Sequence, residues 1–193
     1  MTFLILGLVF FLGVHSVRVF AEPWRAGFIA QRGANTWKGV YSLLSLAGFA
    51  LLLWGFGQAR LQPVVLWVPP TGVRHLAALL MVAAFVLLTA AFVPGNGVKA
   101  RVHHPMILGV TVWAVAHLVA TATLADAVLF GSFLLWAVFS FRAARQRDRA
   151  AGTVYAPGRT GPTVVTVVVG LLAWAVFAFW AHGALIGVRP FGR

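Results

Sequence analysis

Six histidines carry most of the chemistry that this sequence can support, because it contains no cysteine and only three acidic side chains. Without thiolates, and with too few carboxylates for a magnesium or di-iron site, the chemistry falls to imidazole, guanidinium or a bound cofactor. Two of the histidines, His15 and His117, lie inside long apolar segments. An ionisable group inside a bilayer is costly, so both are candidates for function.

These two imidazoles have the chemistry of haem ligands. His117 follows His104 by thirteen residues, about 20 Å along a helix, and this spacing predicts a His117 far from either headgroup layer. Trp113, one turn earlier, shares its face. Two neutral histidines on different membrane helices can ligate a low-spin haem. The spacing does not determine which two histidines bind the iron, since His15 with His104 meets the same requirement.

Basic side chains near these histidines are candidate partners for haem propionates, namely Arg18, Lys38 and Arg101. Arg18 and Glu22 follow His15 by three and seven residues. On one continuous helix the imidazole, the guanidinium and the carboxylate would form a single stripe.

The remaining histidines are predicted to differ in role. His104 precedes a proline at the start of a predicted helix and is the candidate catalytic residue, whereas His103 alone is typical of a headgroup contact. His75 and His182 lie at the outer ends of two predicted spans, where an imidazole edge reaches water, and both are predicted to be structural.

The elements that position these residues are predicted to be membrane helices. The chain is 61% hydrophobic and only 9% charged, against about 25% charged in a soluble domain. We therefore predict an all-α polytopic transmembrane helical bundle, one membrane domain over residues 1–193. Its six spans are predicted at about 2–20, 39–56, 73–93, 105–124, 127–141 and 163–186, with a basic inner connector at 142–162. Fifteen residues are marginal for a crossing, so the alternative has five spans, with 127–141 as a re-entrant piece.

The segments between the spans have their own patterns. Residues 21–37 are basic and aromatic and predict an interfacial helix, with Pro23 in its first turn and Gly33 at its end. Three prolines prevent a helix over residues 61–70, which we place on the membrane surface. Small residues at helical spacing, Ser42, Ser45 and Gly48, predict a packing seam. Three tryptophans could line a pocket for a flat or polyene ligand, namely Trp54, Trp113 and Trp136.

We interpret the net charge of +12 as a signal of membrane topology and not of nucleic-acid binding, because the cations lie between apolar runs and form no polar face. Four of the 15 Lys and Arg residues fall on one side of the predicted membrane, namely Arg60, Arg74, Arg189 and Arg193. The others fall on the opposite side, which the positive-inside bias places in the cytoplasm. This predicts a multi-pass membrane protein with both termini outside the cytoplasm.

Three stretches of the sequence resemble the NnrU family over most of residues 1–140: HSVRVF at 15–20, YSLLSLAGFALLLWGFGQAR at 41–60 and VPGNGVKARVHHPMILGVTVWAVAHL at 93–118. NnrU proteins are bacterial membrane proteins associated with nitrite and nitric oxide metabolism in denitrification. They are related to 15-cis-zeta-carotene isomerase, which binds haem b. The resemblance implies a haem b held by His15 and His117, with His104 a nearby essential residue.

The resemblance also implies the range of functions and partners. The haem would serve redox or nitric oxide handling, with a redox partner at the basic inner loops, or cis–trans isomerisation of a carotenoid-like apolar ligand. The stretch HHPMILG, residues 103–109, also resembles membrane methyltransferases and sterol reductases, which bind S-adenosylmethionine or NADPH. The downstream acidic pair of those enzymes is absent. A non-catalytic assembly factor is a further alternative and would tolerate alanine at both histidines.

Overall fold

The computed structural model describes residues 1–70 and 72–191, and these fold into helices joined by turns and short extended segments. The helices are α1 (Thr2–Phe20), α2 (Glu22–Arg32), α3 (Ala34–Ala59), α4 (Val73–Phe92), α5 (Gly97–Val102), α6 (Pro105–Ala120), α7 (Leu124–Ala150), α8 (Thr160–Val176) and α9 (His182–Ile186), with a π-helical turn at Phe177–Ala181 between the last two. The prediction of an all-α membrane fold is confirmed.

Five apolar helices in the described residues are long enough to cross a membrane: α1, α3, α4, α7 and the run Thr160–Ile186. The chain is therefore a multi-pass membrane protein. The sixth apolar helix, α6, has 16 residues and extends about 24 Å at 1.5 Å per residue. It ends at Ala120 and not at 124 as predicted, because Thr121 is extended and the chain then pairs Val65 with Thr123.

The predicted fifth span, 127–141, is wrong in length, and so is the re-entrant alternative. These residues belong to α7, a continuous helix of 27 residues. Its last part, sequence FRAARQRDRA, is rich in Ala, Arg and Gln, which favour helix even where they are polar. The basic connector between α7 and α8 is consequently limited to residues 151–159 instead of 142–162.

A capping box starts α7. The Thr123 backbone N–H donates to the Asp126 carboxylate at 3.3 Å, and the Asp126 backbone N–H donates back to the Thr123 hydroxyl at 3.3 Å. Both bonds satisfy groups that the first turn of a helix leaves without partners. The two residues therefore determine where α7 begins.

The helix predicted within residues 21–37 is α2, which ends at Gly33 with a φ of 84°. Its interfacial position stays a prediction. The predicted stripe of His15, Arg18 and Glu22 is wrong, because Ala21 interrupts the helix between α1 and α2. Glu22 instead forms an ion pair with Arg25 at 2.8 Å. Arg193, which the charge count placed on the outer side, lies outside the described residues.

The chain divides into two compact units, and the first comprises residues 1–68 and 122–143. In this unit α1 and α3 approach closely at glycines. A Cβ on Gly7 would lie 2.6 Å from the Leu52 Cα, and one on Gly48 would lie 3.0 Å from the Phe11 Cα. Of the predicted seam on α3, Gly48 lies at this contact, as small residues do in membrane helices, whereas Ser42 is exposed.

The second unit comprises residues 69–121 and 144–193, of which the structure describes all but 71, 192 and 193. Here α4 contacts α6 and α8. Gly109 lies against the Ala84 carbonyl, and Gly170 lies against the Val86 Cα. The single membrane domain over 1–193 stays a prediction.

One end of the second unit is organised around Asn96, which is 1% exposed. Its amide donates to the carbonyls of Ala90 and Val93, and its side-chain oxygen accepts from the Lys99 backbone N–H. The next residue, Gly97, donates its backbone N–H to the Thr163 hydroxyl at 2.7 Å. The turn between α4 and α5 is therefore attached to the start of α8.

Candidate functional site

His117 lies in the last turn of α6, one turn from the end of the helix. The prediction that it is far from either end of its span is therefore wrong, because α6 stops at Ala120. Its Nδ1 is 2.9 Å from the backbone carbonyl of Trp113. A carbonyl can only accept a hydrogen bond, so Nδ1 carries the proton and the lone pair of the neutral ring is on Nε2.

A cavity of about 380 Å³ lies beside His117 in the second unit, between α4, α6 and the C-terminal helices. Most of its wall is apolar. Its polar members are two arginines, two histidines and one threonine: Arg74, Arg189, His117, His182 and Thr121. This volume is within the usual range for small-molecule sites, about 300–1,000 Å³. An apolar cavity with two guanidinium groups suits a ligand that is largely apolar and carries acidic groups.

His182 belongs to this cavity, although the sequence analysis predicted a structural residue at a span end. The π-helical turn Phe177–Ala181 precedes it, and Phe177 also lines the cavity. The His182 Nδ1 donates to the Val188 carbonyl at 2.6 Å, which ties the C-terminal segment to the helix. A π turn has no simple sequence signal, so only the arginine that follows at 189 could have indicated a cationic site here.

His15 lies in the first unit and has the same local geometry as His117. Its Nδ1 is 2.8 Å from the Phe11 carbonyl, which again places the neutral ring's lone pair on Nε2. Three aromatic rings surround it, with centroid distances of 4.2 Å to Phe11, 5.3 Å to Tyr41 and 6.2 Å to Trp136. Both predicted iron ligands thus have the tautomer that a metal-binding histidine uses.

His104 lies at the other end of α6, where it precedes the first residue of the helix. Its Nε2 donates to the Asp148 carboxylate at 2.6 Å, and the Tyr155 hydroxyl donates to the same oxygen at 2.6 Å. The side chains of His104 and Asp148 are only 19% and 20% exposed. Burial raises the pKa of Tyr155, and its hydrogen bond to Asp148 and the charge of that carboxylate raise the pKa further.

His103 completes this group, which we call the inner network (His103, His104, Arg145, Asp148 and Tyr155). The His103 ring stacks on Tyr155 with a centroid distance of 3.8 Å and an interplanar angle of 4°. Arg145 forms a hydrogen bond with its Nδ1. The backbone of His103 has a φ of 67°, an uncommon conformation for a residue with a side chain. Sequence reasoning assigned His103 to lipid headgroups and did not find its two partners, Arg145 and Tyr155.

The predicted propionate partners do not lie at the cavity of His117. Arg101 is exposed on α5, before the start of α6, whereas His117 is at the other end of α6. Arg18 and Lys38 belong to the first unit and are exposed. Trp113 does lie next to His117, with a ring-centroid distance of 5.2 Å. The arginines that line the cavity, Arg74 and Arg189, were counted in the sequence only as outer-side charges.

The donor set fits a haem better than a bare metal ion. Among residues 1–70 and 72–191, no group of three or more His, Asp or Glu side chains is arranged to hold a metal ion. A haem iron needs only one or two protein ligands, because the porphyrin supplies four nitrogens. Imidazoles with the Nε2 lone pair are suitable ligands of that kind.

The comparisons with known proteins agree with this architecture. The family model described as NnrU protein matches residues 3–190, nearly the whole chain. No curated protein and no solved structure matches the chain. The family match includes His104, α6 with His117, and also the final helices, which the resemblance by motifs had not covered. The chain therefore belongs to the NnrU family.

Proposed function

We propose that this protein binds haem b in a bacterial inner membrane and works in nitrite and nitric oxide metabolism. His117 would be one axial ligand, and His15, from the family resemblance, the second. The link to denitrification rests on that resemblance alone. The haem proposal rests on a hydrogen bond that each of the two imidazoles makes within its own helix. In both, Nδ1 donates to the backbone carbonyl four residues earlier.

This hydrogen bond matters for ligation because it holds the ring in one orientation and one tautomer. A histidine that donates from Nδ1 to a carbonyl is more basic at Nε2, the atom that binds iron. The cavity beside His117 supports the same proposal through its apolar wall, which would accommodate a porphyrin face. Arg74 and Arg189 would pair with the propionates, replacing Arg18, Lys38 and Arg101 in that role.

When bound, haem supplies redox chemistry and affinity for nitric oxide, and in isomerases it acts on a polyene double bond. The residues of this chain would orient it and exclude water from it. Met81, Phe85 and Trp174 line the cavity and would limit the access of water. The apolar wall is also compatible with the isomerase version, in which a carotenoid-like ligand lies beside the haem.

The distribution of charge supports an orientation for the second unit. One end contains the inner network and α5, which carries Lys99 and Arg101. The Arg159 backbone N–H donates to the Gly95 carbonyl in the turn that precedes α5. By the positive-inside bias this end is cytoplasmic. The cavity of His117 lies at the other end of α6, on the periplasmic side. With α6 as a sixth span, this orientation would place both termini in the periplasm.

Absorption spectra of the detergent-purified protein test the haem proposal. We expect a Soret band and sharp α and β bands after dithionite reduction, lost in His117→Ala and His15→Ala. The matched control is His75→Ala, an exposed histidine outside the cavity, which keeps the spectrum. A colourless protein from cells supplied with haem would exclude haem binding.

The two assignments of the propionate partners can be separated with the same protein. Arg74→Gln combined with Arg189→Gln should lower haem affinity about tenfold or more, since charge-assisted bonds contribute about 1.5–3 kcal/mol each before solvent screening. Arg101→Gln should leave it unchanged. The opposite pattern would favour the assignment made from the sequence.

A second candidate function is favoured by the hydrogen bond between His104 and Asp148. A carboxylate that orients an imidazole is the arrangement of a general acid–base pair. Such a pair is compatible with the methyltransferase- or reductase-like alternative suggested by HHPMILG. That function predicts a thermal shift with S-adenosylmethionine or NADPH that Asp148→Asn abolishes. If neither ligand shifts the protein and it contains no haem, an assembly role is the remaining alternative.

A further inference from the structure

The segment after α9 turns back and forms one wall of the cavity beside His117. Gly187 caps α9 in the left-handed conformation, with a φ of 75°, and this reverses the chain. Residues 188–191 then line the cavity. The ring of Phe191 packs on Phe179 and Trp174, with centroid distances of 5.1 Å and 6.1 Å. The chain therefore carries Arg189 to a ligand site that is otherwise made of helices.

Two contacts with the start of α9 hold Arg189 in this wall. The His182 Nδ1 donates to the Val188 carbonyl at 2.6 Å, which fixes the backbone immediately before the arginine. The stem of the arginine packs on Gly183, because a Cβ added there would lie 3.2 Å from the Arg189 Cγ. The position of Arg189 in the cavity thus depends on His182 and its neighbour.

The arginines of this cavity have no acidic side chain to balance them. No Asp or Glu of the described residues lines the cavity, although Arg74 and Arg189 do. The chain has three acidic residues, and each is engaged elsewhere: Glu22 with Arg25, Asp126 with Thr123, and Asp148 with His104 and Tyr155. A guanidinium pairs most strongly with a carboxylate. The counter-charge for these arginines must therefore come from the ligand.

We propose that His182 is the positioning residue of this cavity: by holding the Val188 carbonyl, it keeps Arg189 where the arginine pairs with an acidic group of the ligand. The inference rests on the proposed function, in which the ligand is haem and the acidic groups are its propionates. It makes the cavity selective for porphyrins with free carboxylates over their esters. His182 acts through Arg189 and not as a ligand of the iron.

Binding of iron-free protoporphyrin IX to the full chain in phosphatidylcholine nanodiscs tests the proposal, measured by saturable quenching of tryptophan fluorescence. This probe has both carboxylates and no iron, so axial ligation does not contribute. We expect His182→Ala to weaken binding about three- to tenfold, the range for one charge-assisted bond after solvent screening. His182→Asn should restore binding, because the Asn side-chain amide can donate to the Val188 carbonyl from the atom next to Cγ, as Nδ1 does. The matched control is His75→Ala, an exposed histidine outside the cavity.

Two further measurements separate positioning from a merely structural role. In an Arg189→Gln background, His182→Ala should cause no additional loss of affinity, because its effect passes through the arginine. The dimethyl ester of protoporphyrin IX should bind wild type and His182→Ala alike, since it has no carboxylate for Arg189 to pair with.

Several results would overturn the proposal. These are equal binding of protoporphyrin IX by wild type and His182→Ala, additive losses in the double variant, an equal loss for the ester, or no saturable binding at all. If His182→Ala fails to fold, His182→Phe decides, because it has no donor and keeps an aromatic ring beside Phe177, where the centroid distance is 5.6 Å.

The outcome is distinct from that of the haem proposal, which the Soret band decides. A haem spectrum in wild type, with porphyrin binding that ignores His182, would refute only the positioning role. Protoporphyrin binding that depends on His182, in a protein that shows no Soret band when supplied with haem, would refute only the binding of haem.

Discussion

Replacement of Asn96 by alanine should destabilise the second unit by about 2–4 kcal/mol. The side chain makes three hydrogen bonds while 1% exposed, and each such bond contributes about 0.5–1.5 kcal/mol net. The bond to the Ala90 carbonyl cannot be replaced by a backbone hydrogen bond of the helix. The Ala90 carbonyl would normally accept from residue 94, but Pro94 has no N–H, and Asn96 supplies the donor instead.

Equilibrium unfolding by dodecyl sulfate in maltoside micelles, followed by circular dichroism, measures this loss. Asn35→Ala is the matched control, because Asn35 is the other asparagine of the chain and is exposed. Asn96→Asp separates the bonds, since aspartate still accepts from Lys99 but cannot donate to the two carbonyls. We expect it to be destabilising despite being a good N-cap residue.

A loss below about 1 kcal/mol for Asn96→Ala would refute the reasoning, because it is less than the sum expected for three buried bonds. An equal loss for Asn35→Ala would refute it too, as it would show a general effect of removing the amide. A stable Asn96→Asp variant would mean that the donations to Ala90 and Val93 contribute little.

Two further predictions follow from packing and from the inner network. Gly55→Ala should lower the free energy of unfolding by about 1–3 kcal/mol through overpacking, because the new Cβ would lie 2.5 Å from the Leu4 backbone nitrogen. The control is Gly57→Ala, whose Cβ would have nothing within 4 Å and should be neutral or slightly stabilising. The same unfolding assay compares the two variants, and equal losses of stability would contradict the packing of α1 on α3. Tyr155 should ionise above its ordinary value of 10.0, because burial and Asp148 raise its pKa, so the stability it contributes is present below pH 10 and is lost as the pH rises through the folded pKa. The chain has two tyrosines, so absorbance at alkaline pH in a Tyr41→Phe background reports the ionisation of Tyr155 alone. Asp148→Asn should lower the midpoint of this titration, and an unchanged midpoint would contradict the hydrogen bond between Tyr155 and Asp148.

The helices could be predicted from the sequence because a long hydrophobic run in a membrane satisfies its backbone hydrogen bonds by forming a helix. Their ends were harder to predict. Hydropathy does not predict the helix ends at Thr121 and Ala150. Thr121 is extended and leads into a β-bridge, and Ala150 follows eight polar or small residues, most of which have high helix propensity.

The candidate site was predictable only where its residues are close in sequence. His117 and Trp113 are one turn apart, so the sequence already associated them. Asp148 is 44 residues from His104, and His182 is 65 residues from His117 and follows a π turn. Contacts at such separations depend on the packing of α4, α6 and α8, which periodicity alone does not specify.

The length of α6 has a consequence for the membrane itself. A helix of 16 residues extends about 24 Å, less than the hydrocarbon thickness of about 30 Å. Where it meets lipid, the bilayer must thin locally or admit water at the helix ends, a case of hydrophobic mismatch. Such a thinned annulus would shorten the route of a polar solute from the nearer membrane surface to His117, and it would favour thin membranes over thick ones as the residence of this protein.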